Sequence, residues 1–155
     1  MQIHSLFILK EGGACIYERD FTDVFKSVDT DLITPFFSAI LTFSENVVSK
    51  KLEVLEMSDL RFVFKKEKGL IFCIASDDTE NFLFINSRLE RIMNEFFRSY
   101  QDINQEDGSL VQRPEFDRVV DVIVWGLEES RQIKKHAGYD KTIGFFKALI
   151  AKNEI

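Results

Sequence analysis

The hydrophobic period switches along this chain in a fixed order, and that order limits the folds open to it. Ile3 to Lys10 reads as a strand with Leu6-Phe7-Ile8-Leu9 apolar on both faces, as expected where layers cover both sides of a sheet. Gly12-Gly13 supplies the positive φ angles of a tight two-residue hairpin, and Ala14 to Arg19 returns as a second strand. A helix follows, then three more strand-like runs, then a long amphipathic helix from about Asn81 to Tyr100. A sheet built in the order ββαβββα needs helices on its faces. It leaves edge strands and helix surfaces for partners.

The individual segments fill in that outline. Asp20 to Thr30 reads as a loop with Phe21, Val24, Phe25 and Val28 to pin it down. Asp31 is expected to cap the next helix, with Pro35 tolerated in its first turn. Ile33, Phe36, Phe37, Ile40, Leu41, Phe43, Val47 and Val48 then form a wide apolar stripe. In Leu52 to Met57 the alternation slips between Val54 and Leu55, which predicts a bulge, and Glu53 and Glu56 suit an edge strand. Ser58-Asp59 is a turn, Leu60 to Lys66 a fourth strand, Glu67-Lys68-Gly69 a hairpin loop and Leu70 to Ser76 a central fifth strand.

Asp77 to Glu80 is expected to cap the long helix, whose inner face carries Phe82, Ile85, Leu89, Ile92, Met93, Phe96 and Tyr100. A polar loop from Asp102 to Gln112 precedes a helix that starts at Pro114 and presents Phe116, Val119, Val120, Ile123 and Leu127. A last short helix is expected from Asp140 to Lys152. We divide the chain into a domain over 1–134 and a basic extension over 135–155.

With 155 residues, one domain accounts for the chain. Its sixteen Phe imply a bulky aromatic core. The net charge of −6 argues against a nucleic-acid binder, which needs a basic face. The charge is uneven, since Arg131 onward carries +4 and the remainder −10. Such a tail can attract anionic lipid, so weak peripheral membrane contact is one reading of it. No basic n-region opens the chain, and no apolar stretch reaches roughly 18 residues, which predicts a cytosolic location.

The catalytic inventory is thin. Neither GxGxxG nor GxxxxGK[ST] occurs, and His4 and His136 fall in no metal-binding spacing. Cys15 and Cys73 each sit within an apolar run and read as reduced core thiols. A Cys15–His4 nucleophile pair across adjacent strands is the one enzymatic arrangement worth testing. Asp77, Asp78 and Glu80 lack the spacing of a calcium loop. We therefore expect no enzyme activity, no cofactor and no metal.

Surfaces remain. The Leu52–Met57 edge can accept a neighbouring strand, and Phe43, Val47 and Val48 end the helix that should flank it. The expected partner interface comprises Phe43, Val47, Leu52, Val54, Leu55, Met57 and Trp125. Trp125 falls outside the main stripe of its helix, as an exposed anchor would; the alternative is that it covers the core.

The order ββαβββα with a further helix resembles the longin fold of vesicle-trafficking proteins and, in similar form, of clathrin adaptor small chains. The resemblance is carried by Leu60-Arg61-Phe62-Val63-Phe64-Lys65-Lys66, then Gly69-Leu70-Ile71-Phe72-Cys73-Ile74-Ala75. Asp77-Asp78-Thr79-Glu80-Asn81 follows, leading to the helix end Phe96-Phe97-Arg98-Ser99-Tyr100. With the Ile3–Tyr17 hairpin it spans about two fifths of the chain. It implies an α/β (α+β) sandwich: a five-stranded, mainly antiparallel sheet with one helix on one face and two or more on the other. It also implies a non-catalytic module that forms homodimers or heterodimers and serves small Ras-like GTPases or trafficking components. After Tyr100 the chain departs from the adaptor pattern.

Two other architectures share part of the order. A PAS-like small-molecule sensor would need several short helices between its second and third strands. A roadblock-type GTPase regulator normally opens with a helix, for which Met1 to Ile3 leaves no room.

Overall fold

The structure is a computed structural model that describes residues 2–100 and 114–137, the stretch 127–137 as backbone only. A hairpin of β1 (Ile3–Lys10) and β2 (Cys15–Asp20) leads into helix α1 (Thr30–Asn46). A meander of β3 (Val54–Met57), β4 (Leu60–Glu67) and β5 (Leu70–Asp77) precedes helices α2 (Phe82–Ser99) and α3 (Pro114–Ala137). The strands join in the order β2-β1-β5-β4-β3, and every pairing is antiparallel. β5 is therefore central and β3 an edge, as expected.

Two aromatic-rich layers hold the sandwich. Leu6, Ile8, Val63, Phe72 and Ile74 point to one side, where they meet Ile85, Leu89 and Phe96 of α2 and Phe116 and Val120 of α3. Phe7, Leu9, Phe62, Phe64 and Cys73 point to the other and meet Phe37 and Leu41 of α1. Strands β1 and β5 are covered on both faces, which explains their unbroken apolar runs. Each such side chain contributes roughly 1.5–3 kcal/mol when fully buried. The layers form the α+β, longin-like sandwich anticipated from the sequence.

Several local readings are corrected. Only Gly13 of the glycine pair has a positive φ, +98°. The Lys10 amide bonds the Ala14 carbonyl, so the connection is longer than two residues and β2 begins at Cys15. A Cβ on Gly13 would lie 2.9 Å from the Pro35 Cα, because the hairpin tip backs onto α1. Asp29, not Asp31, caps α1 and accepts from the Asp31 amide at 3.0 Å. Pro35 stands beyond the first turn, where it removes the amide that would bond the Asp31 carbonyl.

β3 starts at Val54 and runs without a bulge, so the slip in alternation marks the start of the strand. Asn81 caps α2 by accepting from the Leu83 and Phe84 amides. Asp77 ends β5 instead of capping. His136 lies in the helical backbone of α3. The turn at Lys68-Gly69 has positive φ at both residues, the geometry of a tight hairpin. The division at residue 134 falls inside α3; the expected loop over 102–112 and helix over 140–152 lie outside the described residues. No helix among the described residues is long and apolar enough to cross a membrane.

Candidate interaction surface

Helix α1 is apolar around more of its circumference than the sheet can cover. Thr34, Phe37, Ser38 and Leu41 face inward and are buried. Leu32, Phe36, Phe43 and Val47 face solvent, with Leu32 exposed by 72% and Val47 by 67%. Their spacing of four, seven and four residues places them on one stripe, and half-buried Ile40 fills its middle. The sequence stripe that was expected to face the core is thus split between two faces. The buried positions Thr34 and Ser38 explain why. Thr34 bonds its own helix at Thr30, and the Ser38 hydroxyl donates to the Glu11 carbonyl at the hairpin tip. Small polar side chains let α1 approach the hairpin, and this rotates Phe36 and Phe43 outward.

The β3 edge is a second exposed element, joined to α1 through the segment 47–53. Val54, Leu55, Glu56 and Met57 pair with Val63, Phe62, Arg61 and Leu60, leaving the other side of the strand unpaired in the sheet. Leu52 and Leu55 pack against the layer under α1, whereas Met57 is 49% exposed. Arg61 grips Glu56 at 2.8 Å and donates to the Glu80 carbonyl at 2.5 Å, which fixes the outer strand. The end of α1 is tied to the start of this edge. The Lys50 amide bonds the Ser44 carbonyl at 3.0 Å, and Lys66 on β4 bridges Glu45 at 2.9 Å and Glu11 at 3.1 Å. Four paired residues make a short edge, which limits indiscriminate strand pairing.

Six of the seven expected interface residues, Phe43, Val47, Leu52, Val54, Leu55 and Met57, fall on α1, β3 and the segment between them. Trp125 does not: it lies on α3 across the sheet, half-buried, with its ring edge-on to Phe21 at 5.9 Å. Leu32 and Phe36 join the stripe although sequence reasoning assigned Phe36 to the core stripe and left Leu32 out. The available signal was an apolar arc too wide for one buried face.

A second set of contacts holds α3 along β2. Tyr17 donates to Asp117 at 2.5 Å, Arg19 bonds Asp121 at 2.6 and 3.0 Å, and Phe21 meets Trp125. Two residues of strand (about 6.6 Å) match four of helix (about 6 Å), so the two elements stay in step. Burial pushes the Tyr17 phenol well above its ordinary range, and the neighbouring Asp117 adds to this. Burial also raises the Asp121 carboxyl, against the opposing pull of Arg19.

The remaining reactive groups are held apart. His4 Nδ1 lies 2.8 Å from Thr22 Oγ1, and Nε2 lies 2.7 Å from Asp77 Oδ1. Cys15 stands opposite Leu9 at the other end of β1, roughly 17 Å along the strand from His4. The Cys15–His4 nucleophile pair is thereby overturned. Burial pushes the Cys15 thiol up to about 12, with Glu18 and Asp31 adding to it, and burial alone raises Cys73 well above its usual value. Both thiols stay protonated at neutral pH. Among the described residues, no three His, Cys, Asp or Glu side chains converge on a metal-sized site.

Sheet order, helix placement and the α1–β3 surface together define a longin-like fold. No protein-family model matches the sequence, and no curated protein does. Among solved structures the chain is similar to Myxococcus xanthus MglB, with a TM-score of 0.54 at 9% identity over 65% of this chain and 85% of MglB. It is also similar to a chain in a homology model of the full-length AP-3 complex in a stretched open conformation. There the TM-score is 0.53 at 14% identity, over 86% of this chain and 96% of that one. At these identities the likeness concerns the fold.

Proposed function

We propose that this chain is a non-catalytic, longin-type interaction module that docks a protein partner across α1 and the β3 edge. Two observations carry the reading: α1 exposes an apolar stripe, and β3, which follows it in the chain, is a strand edge with no neighbour in the sheet. The partner lays an extended segment along Val54–Met57 and covers Leu32, Phe36, Phe43 and Val47 with apolar side chains. A stable pairing of this kind buries on the order of 1,200–2,000 Å² in total.

The longin resemblance points to a small Ras-like GTPase or a trafficking component as partner, and to a dimer as the resting form. The likeness to a chain of the AP-3 complex, a multi-chain assembly, supports a role in docking. The PAS-like alternative is disfavoured because α1 is the one helix among the described residues between β2 and β3.

Light scattering at micromolar concentration and a pull-down against nucleotide-loaded small GTPases test the reading together. Val54→Arg and Phe43→Asp each weaken association at least ten-fold while the fold is retained. Association indifferent to both substitutions overturns it.

A further inference from the structure

We propose that the corner of the sheet where β3 stops short of β4 is a binding site for a free α-amino acid with an apolar side chain. The site lies apart from the α1 stripe and does not depend on the docking role given above. Three observations converge on it.

The first is a missing residue of strand. β4 runs for eight residues, but β3 pairs only with Leu60 to Val63, and the Phe64 amide then bonds the Glu53 carbonyl at 2.9 Å. Main-chain groups alternate in direction along a strand, so the Lys66 amide and carbonyl point the same way as the Phe64 amide, into the gap. Among the described residues no main chain pairs with Lys66 on that side, because the chain turns at Lys50 toward the end of α1. In an antiparallel sheet the residue opposite would donate to the Lys66 carbonyl and accept from its amide. A free α-amino acid carries both groups: an ammonium to donate and a carboxylate to accept.

The second is the lining. The gap opens a notch of about 160 Å³ between the β4 edge and α2. A cavity of ~150 Å³ takes a molecule the size of benzene. Phe64 and Met93 supply apolar surface, and Lys51, Lys65, Glu53 and Glu67 supply two charges of each sign. Among the described residues none of these four side chains joins an ion pair, whereas the neighbouring Lys66 is committed to Glu11 and Glu45. Unpaired charges of both signs around one notch suit a zwitterion. A simple anion would meet the two glutamates, and a simple cation the two lysines.

The third is Asn86. Phe82, Asn86, Leu89, Met93, Phe96 and Tyr100 follow the four-then-three spacing of a seam along α2, and Asn86 is its one polar member. It lines the notch half-buried, and among the described residues its amide has no hydrogen-bond partner. A polar side chain in an apolar seam costs stability, and an amide left unsatisfied adds to that cost. A ligand carboxylate in the notch accepts from this amide and removes the second part.

Equilibrium dialysis of the full-length chain against radiolabelled L-leucine and L-methionine tests this. N-acetyl-L-leucine and L-leucinamide, which each lack one of the two charges, serve as competitors. Both amino acids should bind at millimolar concentration or below, with neither competitor displacing them. Lys65→Ala should weaken binding roughly ten-fold, as expected for the loss of one charge-assisted hydrogen bond. Asn86→Leu should abolish binding yet raise the urea midpoint, because it completes the apolar seam, and this separates a lost ligand contact from a lost fold. No binding of either amino acid overturns the proposal, as does binding that survives Lys65→Ala and Asn86→Leu together. Displacement by N-acetyl-L-leucine or L-leucinamide as effective as by unlabelled L-leucine marks a site for a single charge, which also overturns it. The docking reading is judged separately by Val54→Arg and Phe43→Asp, neither of which touches the lining of the notch.

Discussion

Glycines 12 and 13 are adjacent in sequence and opposite in what they tolerate. Gly12 has open space where a Cβ would go, whereas Gly13 combines a left-handed φ with a close approach to the Pro35 backbone. Gly13→Ala should destabilise the chain by about 1–3 kcal/mol in urea titrations, with Gly12→Ala much closer to neutral. The thiols make a second case. The folded Cys15 value of about 12 stands above its ordinary 9.0. Its contribution to stability is full below pH 9 and is lost as pH rises toward 12, because the unfolded chain ionises first. Urea midpoints at pH about 8 and about 10 should fall more steeply for wild type than for Cys15→Ala.

Among the elements, α3 is placed by the core packing of Phe116 and Val120 beside α2 and by its steps along β2. Arg19 and Asp121 are about one third and one fifth exposed, so solvent screens their ion pair in part. A double-mutant cycle with Arg19→Ala and Asp121→Ala should give a coupling of about 1 kcal/mol. Arg19→Ala alone should cost more than its share, since it leaves a largely buried carboxylate beside Asp117. Coupling near zero would mean that the aromatic contacts of Tyr17, Phe21, Phe116 and Trp125 hold the helix without it. The meander depends on less. β3 has four residues and one partner strand, and Arg61 anchors it from β4 to the start of α2.

For the whole molecule, the sheet's two faces are covered unequally. Two helices seal one, while α1 seals the other and turns a second apolar face outward. Exposed substitutions on that outer face cost little stability because no core contact is lost. Phe43→Asp should shift the unfolding free energy by no more than about 0.5 kcal/mol while it weakens association. A substitution that unfolds the chain would place Phe43 in the core and remove the stripe from the docking surface.

The strands were legible because alternation and turn residues are local properties. Ile3–Lys10, the turn at Ser58-Asp59, the loop at Glu67-Lys68-Gly69 (whose Glu67 the structure puts in β4), and the apolar run of β5 all depend on neighbours within a few residues. The face of α1 that would be buried was not legible, since apolar residues surround the helix and periodicity alone cannot rank two faces. Contacts distant in sequence settled it: Pro35 against Gly13, and the Ser38 hydroxyl on the Glu11 carbonyl. Trp125 was ambiguous for the same reason, until its packing on Phe21 put it across the sheet. Local sequence thus determined which elements form and in what order, because hydrogen bonding and period are short-ranged. Only tertiary packing decided which apolar surfaces remain outside, because burial depends on what the rest of the chain brings to meet them.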